Sequence, residues 1–139
     1  MIEAACPADA DAVIALWAVC GLTRPWNPPR ADFERALDGC TSEVLLARSD
    51  DGALLGSVMV GHDGHRGWMY YLAVTPEQRG RGLGRELVTA AEHWLQERGA
   101  PKAMLMVRAG NEAAHRFYDA IGYGTSEVVV RERRLADGS

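Results

Sequence analysis

The sequence predicts an α/β (α+β) fold with a mixed, mostly antiparallel sheet, and three observations carry that prediction. Strand-like runs at 44–48, 54–60 and 68–74 follow one another across short turns, the pattern of an antiparallel meander. A helical stripe of Leu83, Leu87, Val88, Ala91, Trp94 and Leu95 then leads into the nearly all-apolar run 103–107, the order of strand, crossover helix and parallel strand. Helical patterns also stand before the meander and after it. With 139 residues there is little room for a second folded unit, so one domain over 1–139 is expected.

Taken in order, Val13, Leu16, Trp17 and Cys20 recur at i, i+3, i+4 and i+7, one stripe of a helix that follows Pro7 and ends at Gly21. The segment Arg24-Pro25-Trp26-Asn27-Pro28-Pro29 forbids a helix interior, and Phe33, Ala36 and Leu37 mark a second helix ending at Gly39. Asp51-Gly52 is a hairpin turn between the first two strands of the meander. The third helix runs from Gly82 to a stop at Gly99 with Pro101 beyond. Asn111 caps a fourth, with face Ala114, Phe117, Tyr118 and Ile121 and an end at Gly122. A closing strand is expected over 127–133, and 137–139 reads as loose tail.

Charge and cysteine usage exclude several classes of function. Fifteen Lys+Arg against 19 Asp+Glu give a net charge of -4, the wrong sign for a nucleic-acid partner bound by neutralising many phosphates. All the cations but Lys102 are Arg, a skew of coding rather than of binding. Cys6, Cys20 and Cys40 are odd in number and lack metal spacing, so they read as free thiols in the cytoplasm. The longest apolar run, 12–22, falls short of the ~20 residues that span a bilayer, so no membrane partner is expected. His62 and His65 flank a turn while His93 and His115 lie on polar helix faces, and no metal is expected.

The segment richest in chemistry lies between the third strand and the third helix. In Gln78-Arg79-Gly80-Arg81-Gly82-Leu83-Gly84 three glycines within five residues permit positive φ and close approach of a ligand to the backbone, where a helix start presents unpaired N–H groups. Arg79 and Arg81 add charge beside the positive end of the helix dipole, which suits a pyrophosphate. The spacing lacks the Gly-Lys-Ser/Thr of a P-loop, and a Rossmann fingerprint would need glycine at Arg85, so ATP and NAD recede.

Tyr71-Leu72-Ala73-Val74-Thr75-Pro76-Glu77-Gln78-Arg79-Gly80-Arg81-Gly82-Leu83-Gly84 resembles motif A of the GNAT acyl-CoA N-acyltransferases, with Arg79-x-x-Gly82-x-Gly84 as its pyrophosphate loop. Downstream, Asn111-Glu112-Ala113-Ala114-His115-Arg116-Phe117-Tyr118-Asp119-Ala120-Ile121-Gly122-Tyr123 resembles motif B of the same family. Arg24-Pro25-Trp26-Asn27 and Asp63-Gly64-His65-Arg66-Gly67 further resemble the small bacterial YpeA-type subgroup. The resemblance implies a single-domain GNAT fold: about six to seven strands, a splay between two central parallel strands carrying Leu72 and Met106, and four flanking helices. It implies acetyl-CoA as cosubstrate, held by Leu72, Ala73, Val74, Arg79, Gly80, Arg81, Gly82, Leu83, Gly84, Asn111 and Tyr118, and it makes homodimers a common assembly. The implied reaction moves an acetyl group to a primary amine by direct attack in a ternary complex. The alternative is a non-catalytic CoA-binding or regulatory module.

Such a transfer needs a neutral amine, a held oxyanion and help for the departing thiolate. At pH 7 deprotonating a lysine-like amine of pKa ~10.4 costs ~4.6 kcal/mol, an α-amine of pKa ~8 only ~1.4. The positions where the family often carries a basic glutamate are here Trp68 and Met106, both apolar. Tyr70, His62, Glu43 and a relayed water are the substitutes, with desolvation of the acceptor as a further route. Tyr118 stands where the family places its general acid, although its stripe would also suit a packed helix residue. Asn111 suits both a CoA contact and a plain helix cap. Arg24, Trp26 and Asn27 form the acceptor-facing set for a small-molecule or peptide amine, the other reading being that Trp26 plugs the core.

Overall fold

A computed structural model of the chain describes residues 1–135; the tail at 137–139 lies outside them. Two compact units are present, residues 1–105 and the residues from Met106 onward.

The first unit holds β1 (Ile2–Ala4), α1 (Ala10–Val19), α2 (Pro29–Asp38), β2 (Ser42–Arg48), β3 (Leu54–His62), β4 (Gly67–Val74), α3 (Leu83–Glu97) and β5 (Ala103–Met104). The strands form one sheet in the order β1-β2-β3-β4-β5, antiparallel throughout except for the parallel pair β4 and β5. Alternation along β2 builds two faces. Val44 and Leu46 pack with Ala73 against Val13, Leu16 and Trp17 of α1 and Phe33 and Ala36 of α2, all buried. On the other face α3 buries Leu87, Val88, Ala91, Trp94 and Leu95 and contacts β2, β3 and β4. Gly67 permits that approach, because a Cβ there would meet Leu95 Cδ2 at 2.4 Å.

Sequence and structure differ in three places. β1 was not expected; its single strongly apolar residue, Ile2, pairs with Ala47, and the strand forms because β2 offers it an edge. The parallel strand covers 103–104 rather than 103–107 and lies at the sheet edge rather than in its centre. Its pairing ends at Trp68 and Met104, just before β4 bends into a bulge. No strand forms over 127–133: Val128, Val129 and Val130 are 68%, 86% and 60% exposed. Three consecutive valines between charges have no one-sided face, and β-propensity without such a face does not fix a register. The described residues thus make a five-stranded sheet, not six to seven strands, with the four expected helices.

The second unit contains α4 (Glu112–Ala120). Asn111 caps it, its side-chain oxygen accepting the Ala114 N–H at 3.2 Å, and Gly122 and Tyr123 close its end by donating to the Asp119 and Tyr118 carbonyls.

Asp9 ties the amino-terminal segment to β2. Its carboxylate accepts the Cys6 N–H at 2.9 Å and pairs with Arg48, whose Nε also lies 3.8 Å from Glu3. Partial burial opposes ionisation, but the Cys6 and Arg48 contacts outweigh it and hold Asp9 below the ordinary carboxylate value. A lowered carboxyl stabilises above its unfolded pKa of about 3.9 and ceases to do so as pH falls through the folded value. Asp9→Ala should therefore lose about 1–2 kcal/mol at pH 7. In urea titrations the gap to wild type should narrow below about pH 4.

Candidate functional site

After β4 the chain makes a short turn, Pro76–Gln78, and enters α3 through the glycine-rich loop. Gly80 and Gly82 sit at φ 81° and 84°, a region that opposes any side chain, and a Cβ at either would meet no atom within 4 Å. The loop is therefore open outward as well as left-handed. Gly82 is the N-cap of α3 and carries no side chain, so no side chain caps the N–H groups of Leu83, Gly84 and Arg85. Arg81 is exposed beside them. Arg79 instead folds back, its Nε donating to the Val74 carbonyl at 3.3 Å and Nη2 to Cys20 Sγ at 3.5 Å, which ties the loop to the ends of β4 and α1. Uncapped amides, the positive end of a long helix and an exposed guanidinium are a donor set that suits a phosphate or pyrophosphate. The diphosphate of CoA fits this donor set.

The second feature is the interruption of β4. Ser57 pairs with Ala73 and Met59 with Tyr70, so Tyr71 and Leu72 together stand opposite Val58, an extra residue in β4. Tyr71 takes φ 53°, a left-handed conformation that costs a bulky L-residue about 1–2 kcal/mol. Three contacts pin it there. Its ring stacks on Trp17 at 3.8 Å, its hydroxyl donates to Asp32 Oδ2 at 2.7 Å, and its carbonyl accepts from Ser57 Oγ at 3.1 Å. Ser57 in turn accepts the Trp17 indole N–H at 2.9 Å. Past Trp68 no ladder partner covers the outer edge of β4 among the described residues, which leaves that edge free apart from the Val74 carbonyl, taken by Arg79 and Cys20.

Around the bulge the titratable groups separate onto two faces. Tyr70 lies in register with Met59 and Val44, on the α1–α2 side, and is 42% exposed. Burial, then the Asp63 charge, raises its phenol, so Tyr70 holds its proton at neutral pH. Trp68, stacked against Tyr70 at 6.4 Å, donates its indole N–H to Asp63 at 3.3 Å. Glu43 lies on the opposite, α3 face, accepting the Trp94 indole N–H at 2.7 Å, and the Arg98 guanidinium lies over the Trp94 ring. His62 ends β3, its backbone N–H bonded to the Thr41 carbonyl.

The loop between α1 and α2 is fastened at Arg24, whose Nη1 donates to the Gly21 and Thr23 carbonyls at 2.8 Å, while Asn27 N–H closes on the Arg24 carbonyl at 3.0 Å. Arg24 thus shapes the loop. Trp26 is 41% exposed and does not plug the core. In the second unit Tyr118 packs edge-on to Phe117 at 5.0 Å and Tyr123 at 5.8 Å, and burial raises its phenol above the ordinary value. The side-chain oxygen of Asn111 is taken up by capping. Met106 lies beyond β5 and is 52% exposed.

Sequence reading missed Ser57, Tyr71 and Asp32 as a connected set. The available signal was a serine inside an otherwise apolar strand, the kind of buried hydroxyl that demands partners.

The acetyltransferase (GNAT) family matches residues 11–123, and the chain belongs to that family. It is 44% identical over 127 residues to an acetyltransferase of Yersinia enterocolitica, covering 91% of this chain and 89% of that one. An acetyltransferase of Pectobacterium atrosepticum is 43% identical over 129 residues, covering 93% and 91%. Among solved structures, AAC(6')-Iy in complex with the bisubstrate analog CoA-S-monomethyl-acetylneamine superposes with a TM-score of 0.82 at 18% identity over 98% of both chains, a likeness of fold. A ribosomal-protein-alanine N-acetyltransferase from Brucella melitensis gives a TM-score of 0.73 at 25% identity over 95% and 99%.

Proposed function

We propose that the protein is an acetyl-CoA-dependent N-acetyltransferase that moves the acetyl group to a primary amine by direct attack in a ternary complex. The observation that carries this reading is the uncapped amino terminus of α3 behind two left-handed glycines, in a chain of this family. Acetyl-CoA supplies an activated acyl group and a thiolate leaving group. Leu83, Gly84 and Arg85 amides with Arg81 hold its diphosphate, and Arg79 keeps the loop against β4. The free edge at Leu72, Ala73 and Val74 pairs with the pantetheine arm. A backbone N–H at the bulge holds the acyl carbonyl oxygen and the negative charge that grows on it, a device worth about 3–4 kcal/mol per donor.

The positions where the family often carries a basic glutamate are Trp68 and Met106 here, and a tyrosine with a raised phenol does not supply a base at neutral pH. The acceptor therefore loses its proton to a relayed water or by desolvation, which favours weakly basic α-amines over lysine-like ones. Tyr70 orients the amine by accepting one of its N–H groups on the phenol oxygen, Trp26 and Asn27 border it, and Tyr118 donates to the leaving sulfur. On this reading residues 1–139 are a single acyltransferase domain, in line with the family match across 11–123. The motifs at 24–27 and 63–67 keep the YpeA-type subgroup as its narrower placement.

The test is release of free thiol from acetyl-CoA against a panel of peptide N-termini, polyamines and aminoglycosides, the last chosen because structural neighbours are named aminoglycoside acetyltransferases. Turnover with one class and a rate limb near that acceptor's own pKa is expected. CoA binding without turnover on any acceptor would favour the non-catalytic module.

A further inference from the structure

We infer that Tyr71 is a positioning residue, and that the chain Trp17–Ser57–Tyr71–Asp32 sets the bulge of β4 and couples it to α2. This rests on the acetyltransferase reading and deepens it by naming what keeps the bulged backbone in place. A tyrosine at φ 53° returns to ordinary extended geometry unless its surroundings over-determine it. Here they do so at three points of one residue, its carbonyl, its ring and its hydroxyl. Each point leads to a different element. The carbonyl is held by β3 through Ser57, which is fully buried and donates to Tyr71 while accepting from Trp17. The ring is held by Trp17, whose own indole closes the circuit. The hydroxyl reaches Asp32 on α2, whose other oxygen is engaged by Arg35 one turn on.

The arrangement has a functional consequence because the next residue is Leu72. Tyr71 and Leu72 share one partner on β3, so any relaxation of Tyr71 rotates the Leu72 peptide relative to the free edge of β4. The loop that borders the acceptor side, 24–28, runs directly into α2, the helix that carries Asp32. A shift of that loop is thereby transmitted to the bulge through the Tyr71 hydroxyl, while the glycine-rich loop at α3 stands outside the circuit. Misplacement should accordingly affect turnover and leave the grip on the diphosphate intact.

The experiment compares wild type, Ser57→Ala, Tyr71→Phe, Asp32→Ala and the double variant of the last two. Tyr71→Phe keeps the stack on Trp17, so it remains informative if Ser57→Ala folds poorly. Each single variant should lower kcat about tenfold on the best acceptor, with the calorimetric Kd for CoA within twofold of wild type. The double variant should be no worse than either single one, the signature of groups acting together. Amide exchange at residues 70–73 should quicken about tenfold in Ser57→Ala and Tyr71→Phe, with α3 still protected. Unchanged exchange at the bulge, or losses that multiply in the double variant, would overturn the inference. Wild type that binds no CoA and releases no thiol would instead defeat the transferase reading, and the exchange measurement would still decide whether the circuit holds the bulge.

Discussion

Gly82→Asp should weaken CoA binding at least a hundredfold by calorimetry while shifting the melting temperature of the free protein by only a few degrees. The argument starts from φ 84° at the helix cap, where a Cβ would meet nothing within 4 Å of the folded chain. A side chain there clashes with no part of the protein. Its folding penalty is the left-handed backbone alone, about 1 kcal/mol, which Asp and Asn tolerate better than other residues. Binding is a different matter, because the new carboxylate points into the space the phosphates need. Two unit charges about 5 Å apart at an effective dielectric constant of about 20 repel by about 3 kcal/mol, rather more than a hundredfold in Kd. Gly82→Asn separates charge from bulk and should lose far less. Equal losses in Asp and Asn would mean that sterics, not a held anion, explains the glycine.

The backbone geometry of that loop was legible in the sequence, because the physics that shapes it is local. Positive φ calls for glycine, the helix start follows from the stripe Leu83, Leu87 and Val88, and both lie within a few residues. The helices and the meander were legible for the same reason, through periods of 3.6 and 2. What escaped depends on pairing at a distance. β1 is a strand because β2 has an open edge, and 127–133 is not one among the described residues despite its valines, since β-propensity does not supply a partner. The bulge was hidden in a run, 68–74, that looks like uninterrupted strand; only the offset between Ser57–Ala73 and Met59–Tyr70 reveals the additional residue. Asp32, 39 residues from Tyr71, cannot be paired with it by any local rule. Arg24 illustrates the converse: no local rule announces that its Nη1 donates to the carbonyls of its own loop.

Tyr118→Phe should lower kcat by one to two orders of magnitude and leave the Kd for CoA within about twofold. The substitution removes one hydroxyl from α4 and preserves the edge-on packing against Phe117 and Tyr123, so the fold has little reason to respond. A hydrogen bond to a charged acceptor is worth about 1.5–3 kcal/mol, and a departing thiolate develops that charge only as the reaction proceeds, which places the loss in kcat rather than in binding. Burial raises the phenol above its usual value near 10, so the proton is in place throughout the neutral range. The sign follows: wild-type kcat should show no Tyr118-dependent limb near neutrality and should fall only as pH rises through the elevated phenol value, an alkaline limb that Tyr118→Phe lacks. If kcat in Tyr118→Phe equals wild type across the profile, the sulfur leaves without help from this residue, and α4 contributes packing alone.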